Sequence, residues 1–425
     1  MITSPAWKDK KYAVLGLARS GRATVEALLA AGAQVLAWDD RAEAREPFVG
    51  RCAVADPLET DLTGYAGVIV SPGVPLNTHP IKPHADSFGV PVIGDIELFA
   101  QARADLPSHR VVGITGTNGK STTTALVHHI LKTAGVPTTM GGNIGLPILE
   151  QEPLPGLGVY VLELSSYQID LTYSLDCDIA VLLNITPDHL DRYDDFEAYA
   201  DAKARLFRMQ NERLAIVRNA EVPRFRLFGR EEDSFVEFFD DFSLDGQENW
   251  PSLQGPHNLE NVKAAYLACR GLGLRPFEIK HGLETFRGLP HRMERVAEIS
   301  GVAYVNDSKG TNTAASAPAL AAFDNIHWIV GGLAKEPGLG ECEAELGHVK
   351  AAYTIGKAGP DFAALIEPIV PVVECETLDR AVASAAANAQ AGDTVLLSPA
   401  CASFDQYRDF EARGDHFRAL VEGLK

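Results

Sequence analysis

The sequence predicts an α/β fold of three domains, each built around a largely parallel sheet. Short apolar, strand-like runs alternate with helix-like segments from end to end. Two glycine-rich turns, beginning at Gly16 and Gly113, each follow such a run. A chain of 425 residues also exceeds what one hydrophobic core usually supports. Domains are expected at 1–103, 104–288 and 289–425.

In the first series, residues 12–15 read as a strand, 22–31 as a helix and 34–38 as a second strand. The series closes after residues 95–99, and the polar stretch 101–109 resembles a linker. The second opens on the strand-like 110–114, continues with strands at 159–164, 179–183 and 214–217, and ends in a helix-like run over 258–271. The third begins around 288–292, with strands near 303–305, 327–330, 353–355 and 394–397. The acidic, aromatic stretch 224–250 reads as short antiparallel strands.

Lys and Arg number 38 against 57 Asp and Glu, a formal charge of −19. Such a surface repels phosphate backbones and argues against a nucleic-acid partner. A small anionic substrate stays open, because a few local cations reverse the field inside a cleft. No apolar stretch approaches the about 18 residues of a spanning helix, and the N-terminus has no apolar leader core. Cys52, Cys177, Cys269, Cys342, Cys375 and Cys401 form no CxxC pair, which fits reduced, buried thiols. A cytoplasmic, monomeric chain without membrane insertion is expected.

The strongest motif is Gly113-Ile114-Thr115-Gly116-Thr117-Asn118-Gly119-Lys120-Ser121-Thr122. It lies between an apolar strand and a helix whose Leu126, Val127, Ile130 and Leu131 recur at helical spacing, with Gly135 as a stop. Backbone N–H groups and the positive end of the helix dipole then face an anion. Lys120 would reach the β- and γ-phosphates of a nucleotide, and the Ser121 hydroxyl would join a magnesium shell. The loop is a variant, since Ile114 stands where the strict pattern has glycine. The alternative is a glycine-rich turn with a surface lysine, which a strand and a helix both in place disfavour.

The other turn, Gly16-Leu17-Ala18-Arg19-Ser20-Gly21 with Asp39 and Asp40 ending the next strand, looks like a dinucleotide fingerprint. Ala18 replaces the middle glycine and weakens that reading, so nucleotide binding and a purely structural turn stay balanced. A second turn, Ser71-Pro72-Gly73, follows another apolar strand. Glu163 sits near a strand's C-terminal end, where ligands of open α/β sheets lie, and is a candidate magnesium ligand. A solvated strand-end carboxylate is as good a reading. His189 lies on a polar loop and reads equally as a metal neighbour or a satisfied loop residue. By its own pattern, Lys203 is an exposed helix lysine.

Taken together, the phosphate loop, Gly141-Gly142-Asn143-Ile144-Gly145, Glu163-Leu164-Ser165-Ser166, Asp188-His189-Leu190-Asp191-Arg192 and Gly255-Pro256-His257-Asn258-Leu259-Glu260-Asn261 resemble the Mur ligases of peptidoglycan synthesis. The resemblance runs from the first strand to the last helix. It implies a Rossmann-like N-terminal domain for a UDP-sugar, a central P-loop-type ATPase domain, and a Rossmann-like C-terminal domain for an amino acid. Leu289-Pro290-His291-Arg292, Asn306-Asp307-Ser308-Lys309-Gly310-Thr311-Asn312, Gly331-Gly332-Leu333-Ala334-Lys335 and Ser398-Pro399-Ala400-Cys401-Ala402-Ser403-Phe404 are similar to the branch that adds D-glutamate to UDP-N-acetylmuramoyl-L-alanine.

The resemblance also implies roles. Arg19, Ser20, Asp39, Asp40, Arg41, Ser71, Pro72 and Gly73 would hold the uridine diphosphate. Asn143 and His189 would lie beside the acceptor carboxylate, with Lys120 and Lys203 completing the catalytic set. Gly116 to Thr122, Asn258, Asn261, Arg292 and Asp307 would contact ATP, while Ser121, Glu163, His189 and Lys203 would surround Mg2+. Lys203 matches a lysine that is carbamylated in the family. Lys309, Thr311, Lys335, Ser403, Phe404 and Phe410 would form the glutamate pocket. Two departures stand out: Gly310 replaces alanine, which is expected to loosen its loop, and Phe404 stands where leucine also occurs. Rival readings are a folylpolyglutamate-type or other Mur-type amide ligase, a nicotinamide-dependent dehydrogenase and a non-catalytic nucleotide switch.

Overall fold

The computed structural model describes residues 1–186, 192–211, 213–218, 236–239, 241–335 and 337–424. Strand–helix alternation resolves into three sheets. The first comprises β1 (Lys11–Leu15), β2 (Gln34–Trp38), β3 (Ala53–Val54), β4 (Tyr65–Val70) and β5 (Val92–Ile93), ordered β3-β2-β1-β4-β5. The second comprises β6 (His109–Thr115), β7 (Thr138–Gly142), β8 (Gly158–Glu163), β9 (Ile179–Leu182), β10 (Leu214–Val217) and β11 (Val236–Phe238), ordered β11-β10-β9-β6-β8-β7. The third comprises β12 (Glu294–Ile299), β13 (Val302–Asn306), β14 (Ile326–Gly331), β15 (Val349–Ile355), β16 (Val372–Glu376) and β17 (Thr394–Leu397), ordered β12-β13-β17-β14-β15-β16.

Every named strand pair is parallel except β12 with β13. Parallel sheets need both faces covered, and β8, β9 and β14 are buried along their whole length. In β14, Trp328 and Val330 pack into one apolar cluster while Ile329 packs into another, as alternation across a doubly covered sheet requires. The first two sheets share a continuous core.

The chain divides into two compact units, 1–243 with 263–282, and 244–262 with 283–425. The first unit thus holds two of the three sheets. Two expectations about the connections need correction. The stretch 101–109 is hardly a linker: it ends the helix Asp95–Ala102, forms a 3-10 turn over Arg103–Asp105 and already enters β6 at His109. Within 224–250 the described strand is parallel, with Ala215 opposite Val236 and Val217 opposite Phe238. All six cysteines are free, and all but Cys52 are fully buried. Among the described residues no helix is long and apolar enough to cross a membrane.

Asp95, buried at the start of its helix, accepts a bond from the Ile96 N–H at 3.0 Å. Burial pushes its carboxyl up to about 6. Its unfolded value is near 4, so between those values the native state holds more protons and loses stability as pH rises. Asp95→Asn should therefore gain on the unaltered chain between pH 4 and 7, by about 3 kcal/mol at most. Denaturant unfolding of both chains across that range checks this; parallel pH profiles would contradict it.

Candidate functional site

In the first unit the phosphate loop leaves β6 at Thr115 and enters the helix Lys120–Thr133. Gly116 and Gly119 have φ of +153° and +82°, so glycine is required at both. Asn184 braces the loop: its Oδ1 accepts the Asn118 N–H at 2.9 Å, and its backbone O accepts the Thr117 N–H at 2.9 Å. The Thr117 hydroxyl lies 3.1 Å from the Tyr199 hydroxyl. Lys120 Nζ donates to Gly116 O at 2.9 Å and Thr117 O at 2.7 Å, so its charge is folded back over the turn. Ser121 is buried and Thr122 half-buried at the helix start.

Lys203 overturns the reading taken from its own pattern. It is 2% exposed, and its Nζ donates to Gly116 O at 2.9 Å while lying 4.6 Å from the Tyr199 ring centre. Two lysines therefore converge on one carbonyl of the phosphate loop. The helix Phe196–Arg208 turns its apolar stripe to the core, and Lys203 falls on that stripe.

Glu163 closes β8 beside β6, paired with Ile114. Its Oε1 accepts the Asn143 side-chain N–H at 2.9 Å, and the Asn143 backbone N–H donates to Glu163 O at 2.9 Å. Gly142 makes this approach possible, because a Cβ there would overlap the Glu163 carbonyl. Glu163 Oε2 is buried and, among the described residues, no donor reaches it. An orphaned carboxylate oxygen fits a cation. No group of three or more His, Cys, Asp or Glu gathers among the described residues. The single Glu163 oxygen suits magnesium, which takes one or two protein ligands and completes its shell with phosphate oxygens and water. His189 lies outside the described residues.

The residues expected around the uridine diphosphate share the first unit. Leu17 N–H donates to Asp39 Oδ2 at 2.7 Å, and Arg41 N–H to Asp39 Oδ1 at 3.0 Å, with Arg41 Nε at 3.1 Å. Burial pushes the Asp39 carboxyl up, but the Arg41 and Leu17 donors outweigh it and leave it below the usual range. Asp39 thus braces the Gly16 turn, while Asp40 is exposed. Ser71 Oγ donates to Gly16 O at 2.8 Å, Arg19 Nη2 to Gly145 O at 2.6 Å, and Ser20 O accepts the Thr24 hydroxyl at 2.9 Å. Arg192 ties the Pro72-Gly73 turn, donating to Val74 O at 2.9 Å and stacking 4.3 Å over Tyr167.

The second unit gathers the remaining candidates. Lys335 Nζ is 3.4 Å from the Thr311 hydroxyl, and Lys309 Nζ is 3.9 Å from the Phe410 ring centre. Ser403 is buried and Phe404 is 70% exposed. Asn261 donates to Asn258 Oδ1 at 3.2 Å, and Asn258 donates to Gln254 O at 3.0 Å. Asp307 lies against the Ser398 hydroxyl (2.7 Å) and the Met293 N–H (3.2 Å), and burial pushes its carboxyl up to about 7. Arg292 is half-buried and acts on Asp307 electrostatically. Gly310 is not loose: a Cβ there would lie 2.6 Å from Ser316 Oγ and 2.8 Å from both Asp307 Oδ2 and Ser398 Oγ. Glycine lets that cluster close.

Pattern reading gave no role to Asn184, Tyr199 or Arg192. The first and last lie within or beside quoted motifs, yet spacing does not say which loop an amide or guanidinium will brace.

A strand-edge phosphate loop, a buried carboxylate with one free oxygen beside it and a converging lysine pair define a nucleotide-handling α/β protein. Residues 114–251 match the Mur ligase middle domain, and residues 291–401 match the Mur ligase glutamate ligase domain. The chain is 62% identical to the UDP-N-acetylmuramoylalanine--D-glutamate ligase of Novosphingobium aromaticivorans, covering all of this chain and 97% of that one. It is 59% identical to the enzyme of the same name from Sphingopyxis alaskensis, over the full length of both. The chain belongs to the Mur ligase family. The UDP-N-acetylmuramate-alanine ligase of Thermotoga maritima shares the fold, with a TM-score of 0.58 at 18% identity over 98% of this chain and 100% of that one.

Proposed function

We propose that this chain is an ATP-dependent ligase that joins D-glutamate to UDP-N-acetylmuramoyl-L-alanine, forming ADP and phosphate through an acyl phosphate. The observation that carries the reading is 62% identity over the whole chain to the Novosphingobium ligase of that name. The ligase of Thermotoga maritima that adds alanine matches over nearly the full length at 18% identity, a likeness that speaks for the fold alone and favours no other acceptor. The substrates are small molecules, and a monomer acting in the cytoplasm completes the proposal, with roles divided over 1–103, 104–288 and 289–425.

A carboxylate is a poor acylating agent. In the proposed reaction its oxygen attacks the γ-phosphorus of ATP and ADP leaves, so the carboxylate becomes an acyl phosphate. The neutral amine of glutamate then attacks the acyl carbon, phosphate leaves, and the ammonium loses a proton to give the amide. Lys120 would swing from Gly116 O and Thr117 O onto the phosphates, neutralising charge as it shifts to the leaving ADP. Asn143 would orient Glu163 and the acceptor carboxylate together. Magnesium would be held by Glu163 and Ser121, with Lys203 and His189 contributing as the resemblance implies, and would supply further charge neutralisation. In the second unit, Lys309, Lys335, Thr311, Ser403, Phe404 and Phe410 would receive glutamate, the lysines pairing its carboxylates. Asn258, Asn261, Arg292 and Asp307 would contact the nucleotide.

Phosphate release with ATP, magnesium, the UDP-sugar and D-glutamate, each omitted in turn, tests the proposal. Release should require all four, with a matching amide product. Release indifferent to the UDP-sugar and glutamate would leave only an ATPase.

A further inference from the structure

In Ser403-Phe404-Asp405-Gln406 the proposal gives Ser403 and Phe404 a ligand and leaves Asp405 without a task. The turn after β15 is shaped like an anion cradle. Gly356 has φ +65°, and the helix Gly359–Ile366 begins three residues later. In dinucleotide-binding folds such a strand–glycine–helix turn receives a phosphate. Here the acceptor comes from the chain itself: the Lys357 backbone N–H donates to Asp405 Oδ2 at 2.8 Å. A Cβ on Gly356 would overlap that same oxygen and lie 2.7 Å from Gly332 Cα, so the carboxylate enters only because residue 356 is glycine.

Three loops meet at this point. Gly332 O accepts the Ala358 N–H at 2.8 Å, which ties the loop after β14, leading to Lys335, to the turn after β15. Leu333 and Ala402 exchange backbone bonds of 2.8 and 2.9 Å, which ties it to the loop after β17, carrying Ser403. Gln406 Nε2 donates to Glu376 O at 2.8 Å and fixes the far side of Asp405 to the end of β16. We infer that Asp405 is a positioning residue: its carboxylate fills an anion-binding turn in place of a phosphate, and so sets the Ser403 loop for the amino-acid substrate. This rests on the ligase reading above.

The test uses the full chain and the KM of each substrate. Asp405→Ala should raise the KM for D-glutamate about tenfold and leave those for ATP and the UDP-sugar unchanged. Asp405→Asn should restore most of the loss, since its amide oxygen can accept the same N–H. Formate should lower the raised KM of Asp405→Ala saturably, by occupying the vacated cradle, and leave the unaltered chain as it was. A normal glutamate KM in Asp405→Ala, an equal rise for all three substrates, or absence of rescue by both formate and asparagine would overturn the inference. Failure of the unaltered chain to use D-glutamate would instead sink the ligase reading.

Discussion

Replacing Lys120 by alanine is expected to slow ADP formation about 10³-fold, with the melting temperature nearly unchanged. Lys120 starts the helix Lys120–Thr133, and alanine is at least as good a helix former there. What goes is the charge. In the described state the ammonium satisfies Gly116 O and Thr117 O, two acceptors of the turn that water can serve instead. During phosphoryl transfer nothing in water replaces a cation fixed against the leaving phosphates. Lys120→Arg should stay slow, because a planar fork cannot deliver a point charge into so tight a turn. Quench-flow measurement of ADP decides it, and turnover within tenfold of the unaltered chain would remove Lys120 from the mechanism.

The second large effect is expected at Lys203. Lys203→Ala should lose about 10²-fold in kcat, and short carboxylates such as acetate should restore part of it. Core packing gives no reason for a buried amine to sit against the phosphate loop, donating to Gly116 O. The carbamylation implied by the family resemblance supplies a reason. The neutral amine adds to carbon dioxide, an N–C bond forms, a proton leaves, and the site gains an anionic oxygen pair. Loss with rescue supports a carboxylate role. Loss without rescue assigns the effect to the ammonium itself, and unchanged kcat removes Lys203 from the catalytic set.

These two lysines mark how far the sequence can be read. Lys120 sits in a local pattern whose strand, turn and helix are contiguous, so its proposed role is read from ten residues. The acceptor of Lys203 is Gly116 O, 87 residues away, and no periodicity in its own helix reports it. Glu163 is an intermediate case: its strand-end position was legible, but the orphaned Oε2 depends on Asn143 and Gly142 arriving from β7. The same distinction explains the misread segments. Residues 101–109 are polar because most of them face solvent, yet they form a helix end, a 3-10 turn and a strand start, with Arg103 and His109 bonded at 3.1 Å. Gly310 looked like a loosened loop, yet the hydroxyls that crowd it come from Ser316 and Ser398. Strand–helix alternation and the phosphate loop are written locally; strand order and side-chain burial at the site are written in pairings between distant segments.

The most direct test of the central claim is the fate of oxygen in the acceptor carboxylate. UDP-N-acetylmuramoyl-L-alanine labelled with ¹⁸O in its terminal carboxylate would be added to the substrate-omission assay with ATP and D-glutamate. An acyl-phosphate route predicts one labelled oxygen in each released phosphate, formed only when every substrate is present. Phosphate free of label, in a reaction that still makes the amide, would contradict it.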